Sequence, residues 1–143
     1  MMDGMTEQPN SPLIRAPIEV RWRDLDAFNH VNNATYLTYL EQARLVWLKK
    51  VPGTWFHEHA MPVLASSEIN YRRPIGWPAD IVIELACERL GKSSMTISHR
   101  IVEAGDRDVL YSDGRVVMVW MDPAAGKSVP IPEAIRTAVG SNV

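Results

Sequence analysis

Between Ala16 and Asp24 the chain alternates Ile18, Val20 and Trp22 with Glu19, Arg21 and Arg23, a period of two that predicts a half-buried strand. The next stretch, Leu25 to Asn33 (LDAFNHVNN), is polar and rich in turn formers. At its end Asn32 or Asn33 offers the side-chain oxygen wanted at a helix N-cap. Ala34 to Lys50 holds neither Gly nor Pro, and Tyr36, Leu37, Leu40, Ala43, Leu45, Trp47 and Leu48 form a broad apolar surface at helical spacing. Lys49 and Lys50 suit the negative end of the helix dipole, and Pro52-Gly53 stops the helix.

Strand patterns follow. Val63 to Arg73 ends at Pro74, and Asp80 to Leu90 alternates Ile81, Ile83, Leu85 and Cys87 with partly polar residues. Ser93 to Ala104 leads into a turn at Gly105-Asp106, and Val109 to Met121 closes the series with a tail apolar on both faces, as in a doubly covered strand. Pro130 to Ala138 predicts a short last helix starting near Pro132. One strand, one long helix and then a run of about four strands imply an α+β fold, an antiparallel sheet packed on that helix. Such a sheet has edges, and dimerisation is one way to cover them. The start of the chain (MMDGMTEQPNSP) is polar and broken by Gly and Pro, so residues 1–14 are expected to form a disordered leader and residues 15–143 a single domain.

Composition narrows the function classes. Lys and Arg number 15 against 17 Asp and Glu, a net charge of −2, which argues against nucleic acid as a partner and requires any anionic ligand to be met by a local basic cluster. The longest apolar run, Val116 to Met121, is six residues, far short of the ~20 of a membrane helix, and the start has no apolar signal core. No membrane insertion is expected, and a cytoplasmic location fits. The one cysteine, Cys87, excludes an internal disulfide and a Cys-based structural zinc site; among apolar neighbours and without an adjacent base, it reads as a buried structural thiol.

Chemistry concentrates in Asp24 to Asn33 (DLDAFNHVNN), where Asp24, Asp26 and His30 fall between a strand end and a helix start. A helix N-terminus offers unpaired N–H groups and a positive dipole end, able to hold an oxyanion beside a carboxylate base or nucleophile. The same residues also read as ordinary turn chemistry: Asp24 and Asp26 as loop residues, Asn32 and Asn33 as caps, His30 as a satisfied imidazole. Spacing alone leaves both readings open.

The order of motifs goes further. VRWRDLDAFNHVNNATYLTYLEQARLVWL, then INYRRP, then GKSS, resembles the hotdog-fold acyl-CoA thioesterases of the 4-hydroxybenzoyl-CoA thioesterase-like family, nearest to the bacterial long-chain acyl-CoA subgroup. The likeness runs from about Ile18 to Met121. It implies a hotdog fold of about five antiparallel strands wrapped around the helix, and hydrolysis of an acyl-CoA without metal or other cofactor. It places the catalytic carboxylate on Asp26, the HVNN histidine on His30, and the carbonyl-polarising N–H at the junction around Asn33. Plant acyl-ACP thioesterases share HVNN, but they carry an Asn where this chain has Phe28, and an acidic residue and a cysteine where it has Pro74 and Ile75. Their further polar catalytic residues are therefore not carried over. The resemblance further implies a homodimer with the site between subunits, often paired into a tetramer as a dimer of dimers.

Phe28 beside Asp26 is expected to form part of the acyl wall, while Tyr36, Leu40 and Trp47 share one helix face as core. Arg72, Arg73 and Lys92 are the candidate contacts for the coenzyme A phosphates, with solvated strand-end charges as the rival reading, and Ser93 is a further candidate substrate contact. Glu41 and Arg44 lie three apart and are placed to pair with each other; Glu41 is also a second-ranked catalytic carboxylate. His57 and His59 flank Glu58 without a third ligand and read as loop histidines, not a metal site. Two rivals remain: a hydratase or dehydratase of acyl thioesters on this fold, separable with an enoyl-CoA assay, and a non-catalytic acyl-CoA binding protein, against which Asp26 stands.

Overall fold

The structure is a computed structural model, and it describes residues 11–140 of the 143. Its elements, in chain order, are strand β1 (Ser11–Glu19), a 3-10 turn (Trp22–Asp24), helix α1 (Asn33–Lys50), β2 (Met61–Tyr71), β3 (Asp80–Leu90), β4 (Ser94–Glu103), β5 (Asp106–Asp122), the two-residue β6 (Lys127–Ser128) and α2 (Glu133–Gly140). The strands form one antiparallel sheet of order β1-β3-β4-β5-β2, with β6 paired to β5. This is the expected α+β hotdog architecture.

Burial alternates along the central strands. Ile81, Ile83, Leu85 and Cys87 of β3, Met95, Ile97 and Ile101 of β4, and Val116, Met118 and Trp120 of β5 join the core shared with α1, which presents Tyr36, Tyr39, Leu40, Ala43, Trp47 and Leu48 to it. Cys87 is buried, and burial raises the pKa of its thiol, which suits a structural role. Leu37 and Leu45 are exposed instead, so the buried stripe of α1 is narrower than its apolar composition implied. Gly114 on β5 allows β2 to pass close by. It has a φ of +154°, and a Cβ there would run into the Glu68 carbonyl and the His99 ring.

Several boundaries differ from expectation. Of the proposed leader, residues 1–10 lie outside the described residues, whereas Ser11 to Ile14 belong to β1. Pro12 and Pro17 are tolerated there because β1 is an edge strand and needs fewer N–H donors. The strand pattern read to Asp24 stops at Glu19; Val20 still donates its N–H to the Ala79 carbonyl, and the chain then turns through the 3-10 segment. Of the two expected cap residues, Asn32 is the N-cap of α1, its side-chain oxygen accepting the Ala34 N–H at 2.9 Å.

Candidate active site

The end of β1 and the start of α1 are held together by one buried carboxylate. Asp24 accepts from the Arg21 backbone N–H at 3.0 Å, the Arg21 guanidinium at 2.9 Å and the Tyr39 hydroxyl at 2.6 Å. These bonds outweigh the cost of burial and hold its pKa below the ordinary value. Burial and the bond to Asp24 push the Tyr39 phenol far up. The Asp24 carbonyl accepts the Asn32 N–H at 2.9 Å, which ties the cap to the same point. Asp24 is therefore a structural anchor of the DLDAFNHVNN segment.

Asp26 sits differently. It lies at the mouth of a tight loop in which its N–H donates to the His30 carbonyl and its own carbonyl accepts the Asn29 N–H. Asn29 takes the left-handed conformation at φ 63°, a geometry asparagine tolerates. The loop closes with a Leu25–Val31 bridge and is pinned to the sheet side by the Val31 N–H on the Ile75 carbonyl at 2.8 Å. One carboxylate oxygen of Asp26 accepts the Phe28 N–H at 2.9 Å, which orients the group and leaves its other oxygen without a protein donor among the described residues.

These constraints bring Asp26, Phe28, His30, Val31, Asn33, Tyr36, Tyr71, Arg72, Arg73 and Pro74 around one cleft of about 400 Å³. Asn33 is the first residue of α1. Its N–H has no acceptor among the described residues, whereas the next two donors, Ala34 and Thr35, bond to Asn32. A free N–H at the positive end of an 18-residue helix is an oxyanion donor in chemical terms. Tyr71 bridges the junction, with its hydroxyl on the Asn33 carbonyl at 3.1 Å and its ring edge-on to Tyr36 at 4.9 Å. Burial pushes the Tyr36 phenol up to about 12.

Six of the eight candidate residues named from sequence thus meet at the cleft: Asp26, His30, Asn33, Phe28, Arg72 and Arg73. The two arginines are not equivalent. Arg72 pairs with Asp113 at 3.0 Å, whereas Arg73 makes no ion pair among the described residues. Lys92 and Ser93 do not join them. They form the β3–β4 turn, where the Lys92 carbonyl accepts from Ile131 and Arg136 and the Ser93 carbonyl from Trp120. The Arg72 and Arg73 N–H groups bond to Tyr111 on the same strand β5. Nine residue steps along the strand from Tyr111 to Trp120 put the two places roughly 30 Å apart. Phe28 is exposed, at 81%, while Tyr36, Leu40 and Trp47 are core as expected.

Sequence reasoning missed Tyr71. Its signal was its place in INYRRP, two residues before Arg73 at the end of β2. Glu41 and Arg44 form no ion pair within 4 Å, contrary to the pairing drawn from their spacing, and neither lines this cleft. His59 faces Asp122 at 3.4 Å, and among the described residues no cluster of three His, Cys, Asp or Glu is placed to hold a metal. No described helix is long and apolar enough to cross a membrane.

An antiparallel sheet wrapped on one long helix, with an aspartate loop leading into the N-terminus of that helix, defines a hotdog architecture with its candidate site at the loop–helix junction. Comparison with known proteins makes the assignment specific: residues 20–139 match the model of the thioesterase-like superfamily, and the chain belongs to that family. It is 30% identical over 125 residues to the long-chain acyl-CoA thioesterase FadM of Escherichia coli, covering 86% of this chain and 94% of that protein. Among solved structures, a Thermus thermophilus thioesterase complexed with coenzyme A and zinc is 33% identical, with a TM-score of 0.77 over 92% of this chain and 94% of that one. A chain from Xanthomonas campestris is 54% identical, with a TM-score of 0.73 over 78% of this chain and 95% of that one.

Proposed function

We propose that the protein hydrolyses an acyl-CoA, fatty or aromatic, to the free acid and coenzyme A. The observation that carries this reading is the meeting of the Asp26 carboxylate with the unpaired Asn33 N–H in one cleft. The thioester carbonyl oxygen points at the Asn33 N–H, which stabilises the oxyanion as the carbonyl carbon becomes tetrahedral, and the α1 dipole adds to it. Asp26 removes a proton from the attacking water, or attacks the carbonyl itself to give a mixed anhydride that water then opens. Collapse of the tetrahedral species expels the coenzyme A thiolate. His30, on the same wall, orients the water or the thioester. Phe28 lines the acyl side, and Arg73, with no ion pair of its own among the described residues, takes a phosphate at the rim.

The working unit in this reading is a homodimer, paired into a dimer of dimers, acting in the cytoplasm. In its favour stands strand β2, at the sheet edge opposite β1, with residues 63–68 all exposed. Lys92 and Ser93, remote from the cleft of their own chain, enter a site only across a subunit boundary. Thiol release from a panel of short, medium, long and aromatic acyl-CoAs tests the activity. Turnover of at least one class that Asp26→Asn abolishes supports it, and no thiol release from any of them contradicts it.

A further inference from the structure

One row of the sheet's outer face, the face away from α1, crosses all five long strands: Asn70 of β2 is in register with Asp113 of β5, Asp113 with Arg100 of β4, Arg100 with Glu84 of β3, and Glu84 with Arg15 of β1. Four inter-strand steps make the row roughly 19 Å long. Arg72 from the cleft rim closes on Asp113 at one end. At the other, Arg107 adds a two-pronged contact to Glu84, which also accepts from Arg15 at 3.0 Å and Arg100 at 3.2 Å. Three guanidiniums thus surround a single carboxylate, whose pKa they hold down at about 2.

That end of the row is the wall of a cavity of about 430 Å³, lined by Arg15, Arg100, Arg107 and Glu84 and, on its apolar side, by Pro12, Leu13, Ile14 and Ala86. Among the residues lining the cavity, Glu84 offsets one arginine of the three and leaves +2 there, in a chain whose net charge is −2, with Asp108 beside Arg107 and Asp113 beside Arg100 outside the lining. The arginine side chains are 42–62% exposed, whereas Glu84 is 13% exposed, so the cations face the opening and the anion lies beneath them. Several guanidinium N–H groups remain without a protein acceptor among the described residues, because each arginine carries five and the network uses one or two of each. Forked donors around an excess positive charge match phosphate oxygens, and the apolar wall and the volume suit a planar ring attached to them.

We propose that this outer-face cavity is a second binding site, separate from the Asp26 cleft, that takes the phosphate groups of a nucleotide. The proposal does not depend on thioester hydrolysis, and binding alone tests it. The full-length protein is titrated calorimetrically with adenosine 3′,5′-bisphosphate, ADP and unphosphorylated adenosine, at low and at high salt. Saturable binding of both phosphorylated nucleotides, weakened by salt and much weaker or absent for adenosine, is expected. Arg15→Gln and Arg107→Gln should each weaken it about tenfold, the scale of one lost charge-assisted bond. Glu84→Gln should strengthen it, because the local charge rises; a purely structural ion network has no way to produce that gain. Arg73→Ala removes a phosphate contact at the cleft, and it should leave unchanged the binding that the Arg15 and Arg107 variants weaken. Melting curves confirm that each variant is folded at the titration temperature. No saturable binding to the wild-type protein, or binding lost in Arg73→Ala and retained in the Arg15 and Arg107 variants, would overturn the proposal.

Discussion

The Tyr39 hydroxyl, nearly two turns into α1 from the loop, donates to the Asp24 carboxylate at 2.6 Å, and this bond fixes the position of the helix start relative to the end of β1. The two aspartates of DLDAF are therefore divided in labour. Asp24 holds the frame, and Asp26, two residues on, presents a carboxylate to the cleft.

Tyr39→Phe leaves a buried carboxylate short of one donor and should lower stability by about 1–3 kcal/mol. Asp24→Asn removes the charge that both Arg21 and Tyr39 serve, and it should cost at least as much. Thermal melts of the two variants check this, and activity should fall only as far as the loop loosens. An unchanged melting temperature in both would remove Asp24 from its anchoring role.

His99 should make the fold sensitive to mild acid. Its ring is buried, with Nε2 at 3.1 Å from the Ser112 hydroxyl, and burial pulls its pKa from 6.5 down to about 4. Below pH 6.5 the unfolded chain takes up a proton there and the native state does not, so stability falls as pH drops from 6.5 toward 4, by about 3 kcal/mol at most. Glu84 also has a depressed pKa and contributes a later loss, between about 4.5 and 2. Denaturant melts across pH 4 to 7 should therefore show a slope that a folded His99→Gln variant lacks. An equal slope in both would show that other groups carry the acid sensitivity.

How much of this could be read from the sequence depended on whether a residue's role is local. The α1 boundaries, its Asn cap and β3 followed from turn residues and hydrophobic period, which act over a few positions. The DxD…HVNN order put Asp26, His30 and Asn33 together for the same reason: they lie on one short loop. Tyr71 and the separation of Lys92 from Arg73 depend on which strands pair, and nothing near those residues encodes that. The exposed Leu37 and Leu45 misled in a similar way, because apolar type marks a helix face as suitable for burial and says nothing of what covers it.

Phe28 and Trp47 give opposite outcomes for the same truncation. Trp47→Ala opens a cavity in the helix–sheet core and should cost roughly 3–5 kcal/mol. Phe28→Ala removes an exposed ring and should leave the melting temperature nearly unchanged while shifting the acyl chain-length profile. A destabilised Phe28 variant with a wild-type profile would place the ring outside the acyl path.

At the cleft rim, Arg73→Ala should raise KM for acyl-CoA more than it lowers kcat, because a phosphate contact holds ground and transition states alike. The effect should shrink with salt and vanish on an acyl-pantetheine lacking the nucleotide. Arg72, already paired with Asp113, should matter less. Steady-state kinetics on the two substrates decide it, and an equal defect on both substrates would indicate a structural role for Arg73.

The central claim rests on Asp26, and the most direct measurement is thiol release from an acyl-CoA by Asp26→Asn beside Asp24→Asn and wild type. The substitution keeps the side-chain volume and removes the base or nucleophile, so turnover should fall on the order of 10²–10⁴-fold with an unchanged melting temperature. Asp24→Asn should retain most of its activity at a temperature where it is folded. An active Asp26→Asn enzyme, or a folded Asp24→Asn enzyme that is dead, would contradict the assignment.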